Sequence, residues 1–147
     1  MIMRIDTLGK ITPVAVPGAV FAAAIKDEFI PLSNYQQITF LIESGEGTAA
    51  NTTITVEAKA GASGTAEAIP FMYMLSGDTE FTEKAATGVT FSIGGASGKS
   101  KYAVVTVADA MLAKGGYDRV AITTTAVSNS TVPGAVYAVQ TKPRYLE

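Results

Sequence analysis

In the stretch Thr53-Ile54-Thr55-Val56-Glu57-Ala58, hydroxyl or charged side chains alternate with aliphatic or small ones, one position at a time. Successive side chains of a strand point to opposite faces, so a period of two yields one apolar and one wet face; a helix would scatter the same residues around its axis. Six further runs have the same β-branched or aromatic character, at residues 38–42, 69–75, 89–93, 102–107, 119–125 and 135–141. Ser44-Gly45-Glu46-Gly47, Gly61-Ala62-Ser63-Gly64 and Ser76-Gly77-Asp78 punctuate them with turn residues. Short strands at even spacing predict an all-β fold, an antiparallel β-sandwich of about seven to eight strands, jelly-roll or Ig-like.

Alternation also predicts the core. Phe40, Ile42, Ile54, Val56, Phe91, Ile93, Val105, Val107, Val120, Ile122, Val136 and Ala138 fall on inward positions of two facing sheets. The numerous Thr residues at the intervening positions suit solvent-facing strand surface. Residues 69–75 read as one strand, with Pro70 at its start or on an edge. One short helix is predicted near 109–114, with Asp109 as N-cap and Gly115-Gly116 as its stop.

The first 33 residues read differently. Arg4 and Lys10 precede an apolar stretch at 11–25 that ends in Ala22-Ala23-Ala24, faintly like a signal peptide. Asp6, Pro13 and Pro17 argue against that, and the stretch is too short to span a bilayer. It reads instead as an apolar arm or first strand (1–33) ahead of a sandwich domain (34–147). Aliphatic surface of that length is costly unless covered, which makes Val14, Val16, Val20, Phe21 and Ile25 candidate contact residues. At the other end, Arg144 and Tyr145 are residue types favoured as interface anchors.

Inventory narrows the chemistry. The chain of 147 residues holds no Cys and no His, so a zinc site, a Ser-His-Asp triad and a Cys-His pair are excluded, and no disulfide framework exists. Net charge is −2, and the eleven basic residues form no run or stripe, which speaks against direct binding to nucleic acid or to an anionic membrane. Gly94-Gly95-Ala96-Ser97-Gly98-Lys99-Ser100 ends like a P-loop. The position that should carry the first glycine of that motif is Ile93, however, and a strand follows where a helix is needed, so the stretch reads as a hairpin connection. Glu43, Glu46, Asp78, Glu80, Asp109 and Asp118 sit mostly beside turn residues, and no calcium loop is spelled out. Asn51-Thr52-Thr53 and Asn129-Ser130-Thr131 match the glycosylation triplet, a pattern common by chance in a Thr-rich chain. Six tyrosines, at 35, 73, 102, 117, 137 and 145, are scattered over separate runs and suit core edges or interfaces better than a carbohydrate platform. The chain is expected to be no enzyme and to need no cofactor or metal.

Three stretches taken together carry a resemblance: "NYQQITFLIESGEGTAANTTITVEAKAGASGTAEAIPFMYMLSGDT", "YAVVTVADAMLAKGGYDRVAITTT" and "GAVYAVQTKPRY". Their order of Gln-Ile-Thr-Phe strand, Gly turn, Thr-rich strand ending in Val-Glu-Ala, aromatic strand and Gly-Asp-Thr resembles a group of small virion structural proteins of tailed bacteriophages. The resemblance implies a capsid decoration or cement protein. Such a protein would be assembled in the host cytoplasm, reside in the phage head, and bind the major capsid protein and copies of itself. A tail-tube or head–tail joining protein is the alternative within that reading, and a free carbohydrate-binding β-sandwich module the alternative outside it.

Overall fold

The period-two runs become strands whose apolar positions turn toward a single interior. The computed structural model describes residues 9–32, 34–96 and 99–143. In chain order its elements are β1 (Gly9–Gly18), β2 (Ile30–Pro31), β3 (Tyr35–Ser44), β4 (Gly47–Lys59), β5 (Glu67–Ile69), β6 (Phe71–Leu75), β7 (Thr82–Lys84), β8 (Val89–Gly95), β9 (Lys101–Ala108), α1 (Asp109–Ala113), β10 (Arg119–Thr124) and β11 (Gly134–Pro143). One antiparallel sheet has six strands in the order β1-β11-β3-β9-β6-β7. The other has β2-β10-β4-β5, with β8 joining β5 along the same edge of β4. The fold is all-β, a sandwich with one short helix, as expected, but with eleven strands among the described residues where about seven to eight were predicted; β2, β5 and β7 are only two or three residues long.

All twelve inward positions expected from the sequence are buried, eleven of them completely and Phe91 to 2% exposure. Burying one such aliphatic or aromatic side chain stabilises by about 1.5–3 kcal/mol, so this shared interior dominates the favourable side of folding. Four polar side chains share it, and each bonds inside. Ser44 Oγ accepts the Gly94 N–H (2.9 Å), and Thr52 Oγ1 donates to the Thr125 carbonyl (2.7 Å). Thr124 Oγ1 accepts the Ile25 N–H (3.2 Å), and Gln140 Nε2 donates to the Pro31 carbonyl (2.9 Å). Buried polar groups are tolerable on this condition, and here each one ties two separate segments together.

The structure differs from the expected strand pattern in three places. Residues 69–75 are two strands: Ile69 pairs with Val56 in the five-stranded sheet, whereas Met72 pairs with Thr106 in the six-stranded one. Pro70 makes the corner between the sheets, where a residue without an N–H interrupts no ladder. Both flanking residues, Ile69 and Phe71, point into the core from opposite sides. Second, the N-cap position of α1 falls on Ala108, which makes no side-chain cap, and Asp109 is the first helical residue. Its charge still lies in the first turn, where the helix dipole favours it. Leu112 carries the helix into the core, and the Gly115 and Gly116 N–H groups close it on the carbonyls of Leu112 and Ala113.

The third difference is the N-terminal region. β1 pairs with β11 from Gly9↔Thr141 to Gly18↔Gly134, with register shifts between Pro13 and Ala15 and between Ala15 and Gly18. The chain then crosses to the opposite sheet, where Ile25 bridges to Thr124 and β2 pairs with β10. Residues 9–31 are therefore a strap joining the two sheets at one side of the sandwich. Phe21 pins the crossing. It is fully buried, its ring lies 6.4 Å from that of Phe91, and its carbonyl accepts the Val127 N–H at 2.8 Å. Gly134 makes room for it, since a Cβ there would stand 2.5 Å from the Phe21 ring.

Phe21→Ala is expected to cost about 3–5 kcal/mol in urea unfolding, as a core cavity does. Hydrogen exchange should show the loss first at the amides of the strap, ahead of those of β3.

Candidate interaction surface

The outer faces of the two sheets differ in kind. On the five-stranded sheet, the outward positions of β4, β10 and β8 include Thr53, Thr55, Glu57, Lys59, Arg119, Thr123, Thr90 and Ser92, with the small Ala121 opposite Glu57 as an apolar exception. Outward positions of the six-stranded sheet are mostly apolar. Cross-strand register aligns Pro13, Tyr137, Leu41, Val104 and Met74 in one row across β1, β11, β3, β9 and β6. The neighbouring row is Ile11, Val139, Thr39, Thr106 and Met72. Its two hydroxyls bond to each other at 3.1 Å, and Gln37 Nε2 donates to Thr106 Oγ1 at 2.8 Å, so the hydroxyls of this row are partnered within the face.

Ile11 is 52% exposed, Tyr102 44% and Leu41 42%; Val104, Tyr137, Val139, Met72 and Met74 are half-buried. Strands stand about 4.8 Å apart and same-face residues about 7 Å, so the two rows over five strands have a footprint of roughly 300 Å². A contiguous apolar patch of that order marks an interaction surface more often than scattered single residues do. Solvated Glu43, beside Tyr102 on the next row, begins its charged rim.

The sequence-predicted contact residues are spread over different environments. Phe21 and Ile25 lie in the chain's own core, while Val14 and Val20 are half-buried against it. Val16 is 85% exposed, within the register shift between Ala15 and Gly18 of β1. Arg144 and Tyr145 lie outside the described residues. Pro13 and Pro17 within β1, together with its register shifts, blunt this edge against a further strand, because each proline removes a donor and each shift breaks the ladder spacing. The other edge, β7, is three residues long. Period-two alternation within one strand identifies its inward residues but does not show that the outward ones of β3, β9 and β11 lie side by side. The available signal was the apolar residues at both parities in β3, β9 and β11, which a one-sided sheet does not require.

The remaining candidates occupy ordinary positions. Gly94 and Gly95 end β8, and the Lys99 N–H bonds the Ala96 carbonyl on the way to β9. β8 pairs with β4 and β9 with β3 and β6, so the glycine-rich stretch crosses from one sheet to the other and is not the hairpin connection expected from the sequence. Asp78 Oδ2 accepts the Leu75 N–H and Asp118 Oδ1 the Gly61 N–H, both at turns. Among the described residues no three Asp or Glu side chains converge to hold a metal ion, and no helix is long and apolar enough to cross a membrane. Of the tyrosines, Tyr102 and Tyr137 share the outer face, Tyr73 packs against the core, and Tyr117 follows α1.

Tyr117 borders a cleft of about 510 Å³ between the Ile69–Met72 corner and the end of α1. Its hydroxyl donates to Glu67 Oε2 at 2.5 Å. That bond raises the phenol above its ordinary pKa, helped by desolvation and by the negative charge of Glu67. Known protein families, curated proteins and solved structures were compared with the chain, and none matches it.

Two outcomes follow from this geometry. Gly94 has φ +70°, and a Cβ there would stand 2.4 Å from the Thr48 carbonyl oxygen, whereas Gly61, at φ +67°, has open space. Gly61→Ala should cost only the left-handed backbone strain, about 1–2 kcal/mol, and Gly94→Ala measurably more in the same urea assay. In an alkaline titration followed by phenolate absorbance, Tyr117 should ionise later than an exposed tyrosine, and Glu67→Ala should remove the lag. Because the folded-state pKa is the raised one, this bond's contribution to stability is complete below the ordinary tyrosine pKa and disappears as pH rises through the raised value.

Proposed function

We propose that this chain is a non-catalytic structural module that works by packing against other subunits, and that its setting is the head of a tailed phage, as a decoration or cement protein. The observation that carries the assembly part is the contrast between the two outer faces: mostly hydroxyl and charged on one sheet, mostly aliphatic and aromatic on the other. An apolar sheet face of this size is often a functional contact surface, and a docked partner would remove it from water. The virion setting is supported by the resemblance over residues 34–145 and by an inventory without His or Cys, which suits a protein selected for contact rather than turnover. The partners in this reading are the major capsid protein and further copies of the chain. Tail-tube and joining roles would use the same contact chemistry on a different lattice.

With strands β1 and β7 blunted or short at the two edges, the contact is made face-on. A rigid sheet loses little conformational freedom on docking, so a modest apolar area supplies useful affinity, and repetition over a lattice multiplies it.

Leu41→Glu with Val139→Lys places charges in the centre of the apolar face without touching the core. The pair is expected to leave the melting temperature nearly unchanged and to abolish retention on head shells assembled from the phage's own capsid protein, while Thr123→Glu on the polar face has no effect. Equal retention of both variants, or a wild-type chain that stays monomeric and unbound to shells, would overturn the assignment.

A further inference from the structure

The cleft beside α1 has walls of one kind and a mouth of another. Ile69 is buried at its base, and Met72, Met111 and Tyr117 are half-buried along it. Two methionines make an adaptable wall, because the unbranched thioether side chain can follow the shape of what enters. Tyr117 is held in place by its bond to Glu67, so one side of the cleft is fixed. Glu83 and Lys114, both exposed, flank the opening from β7 and from the end of α1. About 510 Å³ lies within the range of about 300–1,000 Å³ typical of ligand-binding clefts.

Opposite charges on the rim discriminate among occupants. A carboxylate would be drawn to Lys114 but repelled by Glu83, and an ammonium the reverse, so a single charge gains little net attraction from the rim. A neutral group that carries both a donor and an acceptor satisfies both rims at once, with its N–H toward the carboxylate and its C=O toward the ammonium. The peptide group is such a dipole. We propose that this cleft is an anchor pocket for an apolar side chain, aliphatic or aromatic, presented on a peptide segment of a partner protein, with the flanking amide seated between Glu83 and Lys114.

Position supports the same occupant. Met72 lines the cleft and also belongs to the second row of the apolar sheet face. A partner packed on that face therefore has the cleft within reach of its next few residues. The inference rests on the assembly reading for the source of the segment, while the chemistry of the cleft stands apart from it.

The test uses the full chain labelled at its methionine methyl groups and titrated with capped amino acids in solution. N-acetyl-leucinamide and N-acetyl-tryptophanamide should produce saturable shifts at Met72 and Met111, while Met74, two residues along β6 and outside the cleft, stays unmoved. The charged analogues N-acetyl-leucine and leucinamide should bind several-fold more weakly than the neutral amide. Met111→Trp fills the cleft and should abolish the shift at Met72. Glu83→Lys, an exposed substitution that leaves the fold alone, should reverse the order so that the anionic N-acetyl-leucine binds best. Absence of saturable shifts, equal shifts at Met74, or an order of affinities unmoved by Glu83→Lys would overturn the proposal. These probes read the cleft whether or not the chain assembles, so failure here leaves the shell-retention result standing, and the reverse also holds.

Discussion

The molecule depends on one shared interior that two sheets must enclose from both faces and at their sides. Facing strands supply the hydrocarbon, but an open side would leave Phe91 and its neighbours wet. The strap at residues 9–31 closes one side, running from a strand of one sheet to a strand of the other with Phe21 inserted between. The buried polar atoms serve the same end. Thr124 holds Ile25 and Gln140 holds Pro31, so two of the four internal polar bonds are made to the strap. An unpaired donor there would cost about 1–3 kcal/mol, which ties the seating of the strap to the satisfaction of the core.

That dependence explains what could be read from the sequence. Long runs such as 53–58 and 102–107 carry several periods of alternation, and their inward residues are identifiable without knowledge of the partner strand. β2 has two residues and β5 and β7 three each, too few for any period to emerge; their existence follows from what lies alongside. β1 has the length but not the pattern, because its register shifts turn Val14 and Ala15 together toward the body and interrupt alternation. The division at Pro70 was half visible: proline indicated a strand start, but only the pairing of Ile69 and Met72 with different sheets shows a corner.

The interaction surface was harder to read than the core, for a related reason. Period-two reasoning assigns one parity inward and treats the other as solvent-facing by default. In β4 the default holds, with Thr and Glu at the outward positions. In β3, β9 and β11 the outward positions carry Leu41, Val104, Tyr137 and Val139, and nothing in one strand says that they align. The patch is a property of register. It appears when three strands are laid side by side, and the cleft beside α1 needs still more, since its walls come from a sheet corner, a helix and a turn.

Register also decides how such a surface can be used. Strand addition at an edge recruits a partner through backbone groups and is nearly indifferent to side chains, which is why exposed edges invite indiscriminate association. Here β1 carries two prolines and irregular pairing, so that route is obstructed on the sheet whose face is apolar. In the proposed assembly, recognition falls to side chains on the face, where shape and the placement of Tyr102, Tyr137 and Glu43 would discriminate among partners. Blunting the edge while leaving the face apolar separates specific docking from fibre-like growth, a separation that the proposed role, with many copies on one lattice, would require.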